Sequence, residues 1–489
     1  MGESSSAVQR TVSVTMEEPS ASTKHTFFGN VLMLAGGATF SQLLIVLASP
    51  ILTRLYAPDD FGVFSVFSAY FSILLVIAPL RYDLAVPLPD NLEDSANLVV
   101  LALFAILGVS LLSGAGCWIF SNEIAAWSKT PELMKYLWLL PISLPVAGLY
   151  QVLTYWTMRQ KEFGVLSYTK TFRAAGQVAV QIASTTFSQG PTGLIAGFIA
   201  GQFCGIGPLL RRCAFPFHCI SINKIFVLAK EYKTFPLIML WAWLADTVGL
   251  QLPIILFSGL FGIESAGQFS LSIRCLAIPS VLVGQAVAQV LYASVTAKDV
   301  DRSRQKSIIE QSTAHLFIIA FVTFSLVALH GPLLFGFVFG TQWIQAGHFG
   351  QLLAPWCMIS FITGPISLYA LAQRKESTSL LFSVTTAVLR LSSILVAVHY
   401  ESVDLAVLLF SIGSTLMCAV YFAWVLRLAD SSLKVWLELQ KNRLISGLIL
   451  LLVLFVLKFL LTNIPSLILS GTSLALYATW FSLRARRPL

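Results

Sequence analysis

Six charged residues stand where charge is costly. Arg54 closes a long apolar run, Arg81 and Asp83 follow the next, and Asp246, Arg274 and Arg390 lie inside three others. An ionised side chain within an apolar run is rare, and it faces a cavity or a partner when it occurs. Arg274 lies about ten residues into its run, beyond the reach of snorkelling to the near end. Two readings fit it. It ties helices together by pairing with Asp246, or it is an anion site in a central cavity. Asp246, beside Trp241 and Trp243, is either an arginine's partner or an ion-coupling carboxylate. Arg390 admits cavity or structural pairing equally. Arg54 precedes Asp59 and Asp60 closely enough for a salt bridge, and Arg81 fits an ordinary basic flank. A guanidinium matches phosphate because its planar fork binds two oxygens at once. Arg54, Arg81, Arg274 and Arg390 together would offer an anionic headgroup cationic contacts at the outer rim, the inner rim and the middle. Asp246 and Asp83 are the candidates for pairing or ion coupling.

The remaining chemistry is sparse. There is no GxxxxGK[ST] loop, no HExxH and no GxSxG in the sequence, so phosphate-loop, zinc-protease and serine-hydrolase chemistry have no footing. Seven cysteines, Cys117, Cys204, Cys213, Cys219, Cys275, Cys357 and Cys418, are scattered without CxxC spacing. They read as small apolar fillers, and neither a disulfide framework nor a metal site is expected. His315 and His330 fall in or near one apolar run and read as packing residues. No cofactor and no enzyme activity are expected.

The elements that must position these charges are membrane spans. Of 489 residues, 56% are hydrophobic and only 11% charged, and mean hydropathy is +0.80. A water-soluble protein of this size needs more polar cover. The net charge of +8 does not imply a nucleic-acid partner, because the basic residues punctuate apolar runs without forming a stripe. About fourteen runs reach the roughly 20 residues that cross a bilayer. An all-α integral membrane protein follows.

The positive-inside rule orients it. With the N-terminus in the cytoplasm and sides alternating, 25 of the 31 Lys and Arg fall inside. Only Arg54, Lys129 and Lys135 fall outside, and Arg274, Arg390 and Lys458 lie within spans. A count wrong by one would scramble that bias, so both termini are placed inside. Lys170 and Arg173 are counted with the inside loops. Residues 1–26, rich in Ser and Thr, read as a disordered cytoplasmic tail.

The two halves echo one another. Pro58-Asp59-Asp60-Phe61-Gly62-Val63-Phe64-Ser65 follows the first span, and Ile263-Glu264-Ser265-Ala266-Gly267-Gln268-Phe269-Ser270 follows the seventh. Both contain an acidic residue, then Gly-x-Phe-Ser, and both open the next span. Upstream, Pro50-Ile51-Leu52 echoes Pro253-Ile254-Ile255. A repeat displaced by an even number of spans keeps its orientation, so two parallel six-helix lobes are expected. The expected organisation is a first lobe over 27–213, an inter-lobe linker over 214–233 and a second lobe over 234–427. A C-terminal helical hairpin over 443–483 is appended.

At this level of detail the chain resembles a known family. Leu52-Thr53-Arg54-Leu55-Tyr56-Ala57-Pro58-Asp59-Asp60-Phe61-Gly62 and Leu80-Arg81-Tyr82-Asp83-Leu84-Ala85-Val86-Pro87-Leu88-Pro89 carry the likeness. So does Arg274-Cys275-Leu276-Ala277-Ile278-Pro279, continued by Gly284-Gln285-Ala286-Val287-Ala288-Gln289-Val290. These segments resemble the polysaccharide biosynthesis, or oligosaccharide flippase, family of the multidrug/oligosaccharidyl-lipid/polysaccharide exporter superfamily. The resemblance implies two lobes around a central cavity, alternating access, and an undecaprenyl-diphosphate-linked oligosaccharide as substrate in a bacterial inner membrane. It implies that Arg274 is a cavity arginine and that Arg54 and Arg81 line the first two spans. Polysaccharide polymerase and export proteins are the partners it suggests, besides membrane lipid. A cation-coupled multidrug exporter of the same superfamily is the alternative. That alternative calls for acids in the cavity, and Asp246 is the one clear mid-span acid in the sequence.

Overall fold

The computed structural model describes residues 21–485, apart from 128, 188–189, 296–300, 374 and 462. The first twenty residues of the expected tail lie outside this range, and from Ala21 the chain is already helical. Among the described residues there is no strand.

The long helices of the first half are α1 (Ala21–Leu55), α2 (Pro58–Ile77), α3 (Leu92–Ile119), α4 (Leu139–Arg159), α5 (Phe163–Ser184) and α6 (Thr192–Arg212). In the second half, α7 runs over Phe235–Phe261. Helix α8 covers Ile263–Pro279 and passes through a π turn, Ser280–Gly284, into Gln285–Val295. Then come α9 (Arg302–Phe339), α10 (Ile344–Ala372), α11 (Glu376–Val398) and α12 (Val403–Leu428), followed by α13 (Leu433–Leu460) and α14 (Asn463–Ala485). Among the described residues, 13 helices are long and apolar enough to cross a membrane. Helix α5 is not among them. Lys170 and Arg173, with its hydroxyl and amide residues, lower its hydropathy.

Connections alternate between two ends of the bundle. One end carries most of the Lys and Arg and is called the basic end; the other is called the opposite end. Buried apolar side chains form two large clusters, and the first, centred in the first half, draws in Leu271, Phe335, Trp343 and Ala346 of the second. The first gathers Phe67, Phe71, Leu98, Ile106 and Trp156. The second gathers Phe257, Phe269, Phe324, Phe361 and Phe410, with Trp436, Leu474 and Phe481 of α13 and α14. The last two helices are also pinned to α9 by polar contacts. Lys458 Nζ donates to the Leu329 carbonyl at 2.7 Å, and His330 Nε2 lies 2.9 Å from Ser470 Oγ.

Residues 213–234 are more than a connection. They contain a helix, Ile222–Glu231, tied to α3. Asn97 Nδ2 donates to the Cys219 carbonyl at 3.0 Å, Ser221 N donates to Asn97 Oδ1 at 2.9 Å, and Lys224 pairs with Glu93. Tyr82 Oη donates to the Ala229 carbonyl.

The sequence echo is the contact between the halves. Helices α2 and α8 cross near their starts at the opposite end. Gly62 lies against the Ile263 carbonyl, and Gly267 lies against the Pro58 carbonyl. In each copy the glycine stands four residues after the residue that receives its counterpart. Ser65 Oγ donates to Ser270 Oγ at 2.7 Å, where the two copies meet at equivalent positions. Only a residue without Cβ lets two helix backbones approach so closely, and that is how small residues drive helix association in lipid. A side chain at either position would meet backbone, which cannot swing aside. We expect Gly267→Ala to lower thermal stability by about 1–3 kcal/mol through overpacking. Gly116→Ala, with open space around it, should leave stability unchanged or raise it. Thermal unfolding of the detergent-solubilised variants compares them, and equal melting of the two would refute a tight crossing.

Candidate functional site

The seam between the halves collects three of the four sequence-selected arginines. Arg274 lies on α8, eleven residues after Ile263, about 16 Å along the axis. Its guanidinium sits over the Phe64 ring of α2, 5.0 Å from the centroid. It remains accessible although it is mid-helix. It precedes Pro279 and the π turn after it. Such turns break the regular backbone ladder and are frequent at functional sites. Among the described residues, ion pairs within 4.0 Å are Lys224–Glu93, Arg302–Asp430 and His348–Asp404. None involves Arg274.

Arg54 lies at the opposite end. Its Nη2 donates to the Phe337 carbonyl of α9 at 3.3 Å, so its recorded partner is a carbonyl of the other half. Asp60 instead caps its own helix, accepting from Ala57 N at 3.0 Å. The corner between α9 and α10 completes this closure. Gln342 Nε2 and Trp343 Nε1 both donate to the Thr53 carbonyl, at 2.6 and 2.8 Å. The Trp343 ring meets Phe61 edge-on at 5.1 Å.

Arg81 lies toward the basic end. Leu80 and Arg81 both have positive φ, 48° and 63°, a conformation that L-residues enter at a cost. That turn ends α2 and aims Arg81 inward, where only 5% of it is exposed. The guanidinium stacks on Trp243 of α7, 4.4 Å from the centroid, and Nε has no hydrogen-bond partner among the described residues. Asp83 is fully buried. Gln151 Nε2 donates to Asp83 Oδ2 at 2.6 Å, while Oδ1 has no hydrogen-bond partner among the described residues. Burial pushes the Asp83 carboxyl above the usual carboxylate range, against the opposing effects of Gln151 and Arg81. Burial likewise draws the Arg81 guanidinium below its ordinary value, opposed by Asp83.

Arg390 is set apart from the seam. It is buried in the second half between the rings of Trp356 and Phe410, at 4.9 and 5.2 Å. Its Nε donates to Ser414 Oγ at 2.9 Å. With Asp246 it lines a cavity of about 690 Å³ whose walls include Thr363, Ser383, Thr386 and Tyr421. Asp246 thus shares a cavity with Arg390 and not with Arg274, and among the described residues neither arginine forms an ion pair with it within 4.0 Å. Trp243 lines the same cavity and connects it to Arg81.

Two further cations, which the charge count places with the loops, lie inside a helix. Helix α5 starts at Phe163, which puts Lys170 and Arg173 seven and ten residues inside it. Arg173 stacks over Tyr150 at 5.1 Å. The apolar run is legible in the sequence, but both cations count with the preceding loop, because charges on one face of a helix look like a loop flank. In the sequence Trp243 stands out only beside Asp246, and Phe64 only within the repeat; that they receive Arg81 and Arg274 is not legible there, because a ring in an apolar run looks like any other filler.

Residues 51–347 match a family model described as polysaccharide biosynthesis protein. The match spans both echo segments and includes Arg54, Arg81, Asp83, Asp246 and Arg274. The succinoglycan biosynthesis transport protein ExoT of Rhizobium meliloti (strain 1021) is 24% identical over 439 residues, 87% of this chain and 86% of that protein. Among solved structures, the lipid II flippase MurJ in an inward closed conformation aligns with TM-score 0.73 and 13% identity, over 93% of this chain and 100% of that one. An inward-facing MATE multidrug resistance transporter of the MOP superfamily aligns with TM-score 0.66 and 13% identity, over 80% and 94%. At these identities the structural likeness establishes a shared fold.

The Asp83 environment makes a pH prediction. A carboxyl whose folded pKa is raised holds its proton more tightly in the native state than in the unfolded one. Stability then falls as pH rises from the ordinary Asp value of about 4 through the folded value. Asp83→Asn should flatten that part of the stability profile and leave neutral-pH stability equal or higher. Thermal unfolding across pH 4–8 in detergent measures it. Superimposable slopes for the two proteins would dismiss the buried-carboxylate account.

Proposed function

The chain belongs to the polysaccharide biosynthesis protein family, and from that premise we propose that it is a flippase for lipid-linked oligosaccharides. The substrate class is an undecaprenyl-diphosphate carrier bearing an oligosaccharide unit. The membrane is a bacterial inner membrane, with both termini and the basic end in the cytoplasm. Two parallel lobes, 27–213 and 234–427, rock against each other, with 214–233 as the link and 443–483 as an appended hairpin. The chain's part in surface polysaccharide synthesis is transport; no catalytic step is assigned to it.

One observation carries this reading: Arg54, Arg81 and Arg274 each reach across the seam, at three levels, to a group of the other half. Two of them rest on aromatic faces. A ring holds a guanidinium by its face and leaves the N–H edge free. A carboxylate partner would occupy that edge. Arg274 can therefore offer its fork to a diphosphate without first breaking an ion pair. The diphosphate enters at the basic end when Arg81 parts from Trp243 and is held by Arg274. It leaves when the crossing of α2 and α8 and the Thr53 clasp open.

The sequence has no nucleotide-binding loop, so the drive is the membrane potential or an ion gradient. Asp246, in its hydroxyl-lined cavity with Arg390, is the candidate for coupling. It is also the observation that favours the second reading, a cation-coupled multidrug exporter. Sodium- or proton-dependent efflux of a cationic dye by the reconstituted protein would decide for that reading.

Two tests follow. Arg274→Ala should abolish surface polysaccharide made in cells that depend on this chain, and Arg274→Lys should keep a fraction, because an ammonium retains charge but not the fork. Full output from the Ala form would remove Arg274 from the substrate site. Separately, Ser65→Cys with Ser270→Cys places two thiols at the distance of the present hydrogen bond. Oxidation should lock the seam and stop transport, and reduction should restore it. Undiminished transport by a demonstrably cross-linked protein would rule out opening at this crossing.

A further inference from the structure

A second basic site lies away from the seam. Helices α5 and α6 run antiparallel and pack against α1 and α4 of the first half. Between them is a cavity of about 610 Å³. Gly164, Tyr168 and Phe172 line one wall; Gly207, Arg211 and Arg212 line the other. Gly207 faces open space, with nothing within 4 Å of where a side chain would start. Tyr168 and Phe172 are one helical turn apart, with ring centroids at 5.3 Å. Both are largely exposed, at 64% and 47%. The arginines occupy the last turn of α6, and neither takes part in an ion pair among the described residues. The rings stand deeper along the helices, Phe172 being eight residues, about 12 Å, beyond Gly164.

The segment that follows α6 fixes the depth of the arginines. Phe217, Ile222, Phe226 and Val227 are 76%, 71%, 66% and 62% exposed. Side chains of that size are not left in water in such density. The opposite face of the Ile222–Glu231 helix, through Ile225 and Leu228, is buried in the protein. A short helix that is apolar outward and carries Lys224 and Lys230 lies in the membrane interface. Arg211 and Arg212, immediately before this segment, are then at headgroup depth.

We propose that the α5–α6 groove binds an anionic phospholipid of the inner leaflet. Its phosphate sits on Arg211 and Arg212, and one acyl chain lies along Tyr168 and Phe172. The charge of the mouth selects the headgroup, and the apolar aromatic wall below it fits a chain. Paired basic residues between helices at the cytoplasmic side recognise anionic headgroups in this way. The packing of α5 and α6 within the first half keeps the groove off the seam, so its occupant is a resident lipid and not the transported molecule. The orientation of the basic end rests on the flippase reading above; the lipid test below does not require transport.

The experiment uses the full chain purified in detergent, with native mass spectrometry counting retained phosphatidylglycerol and phosphatidylcholine of the same acyl composition. The wild type should retain phosphatidylglycerol over phosphatidylcholine. Arg211→Gln with Arg212→Gln should reduce phosphatidylglycerol retention about tenfold or more, while circular dichroism and elution volume stay unchanged. Tyr168→Ala with Phe172→Ala should reduce retention of both lipids. If the arginine variant folds poorly, the aromatic variant and the wild-type lipid preference still decide the matter. Equal retention of both lipids by the wild type overturns the proposal. So does unchanged phosphatidylglycerol retention in the folded arginine variant, or inorganic phosphate displacing the lipid as well as phosphatidylglycerol does. Displacement by undecaprenyl phosphate at lower concentration than phosphatidylglycerol would make this a substrate site and overturn the resident-lipid assignment. A failure of the flippase reading would appear in the Arg274 variants and leave this lipid preference intact.

Discussion

The backbone contact of α2 with α8 sets the geometry on which the rest depends. In lipid, apolar side chains gain little by leaving one apolar surroundings for another, so helix association relies on close packing and polar contacts. Gly62 and Gly267 supply the closeness, and Ser65 with Ser270 supplies the polar contact. Both lie at one end of the bundle, beside the Thr53 clasp with Gln342 and Trp343. The contact is reciprocal, each copy of a repeated segment receiving the glycine of the other. Such a joint can separate as a unit, because its few polar bonds are concentrated in one place. The core of the second half lies within that half, whereas the core of the first half takes in Leu271, Phe335, Trp343 and Ala346 across the seam, so apolar packing closes the joint together with its polar bonds.

The second constraint is the cost of charge at membrane depth. Three of the four selected arginines meet it with aromatic faces: Arg81 on Trp243, Arg274 on Phe64, Arg390 between Trp356 and Phe410. A cation–π contact contributes about 0.5–1 kcal/mol when exposed and about 2 kcal/mol or more when desolvated. That is modest beside the cost of a buried ion, which fits a site that stays accessible or waits for an anion. Arg390 differs. Hydrogen-bonded to Ser414 and flanked by two rings, it is held on more sides, as expected of a fixed charge in the wall of its cavity.

Much of the bundle was legible. Apolar runs of about 20 residues, the asymmetry of Lys and Arg and the Gly-x-Phe-Ser echo all report on constraints that act locally or once per span. Helix α5 marks where that reading blurs a boundary. Its charges and hydroxyls make it look like loop followed by span, although the backbone is helical from Phe163. The segment 213–234 holds more than its sequence tells: too short to span, it reads as linker, yet Asn97, Glu93 and Tyr82 tie it to the first half. The site was legible in its charged residues and not in their partners. An arginine within an apolar run announces itself by its solvation cost. The ring that receives it does not, because Phe and Trp are at home in lipid with or without a cation.

The sequence by itself determined that this chain is a helical membrane protein with an internal repeat and a small set of costly charges. Those properties follow from transfer free energies and spacing, which act residue by residue. Tertiary structure alone decided which charges share a compartment. It put Arg54, Arg81 and Arg274 on the seam and set Arg390 and Asp246 in a separate cavity of the second half. Partnership at membrane depth depends on which helix faces which, and on the rotation of each about its axis. A repeat can say that two segments are alike, but only their packing shows that each was shaped to receive the other.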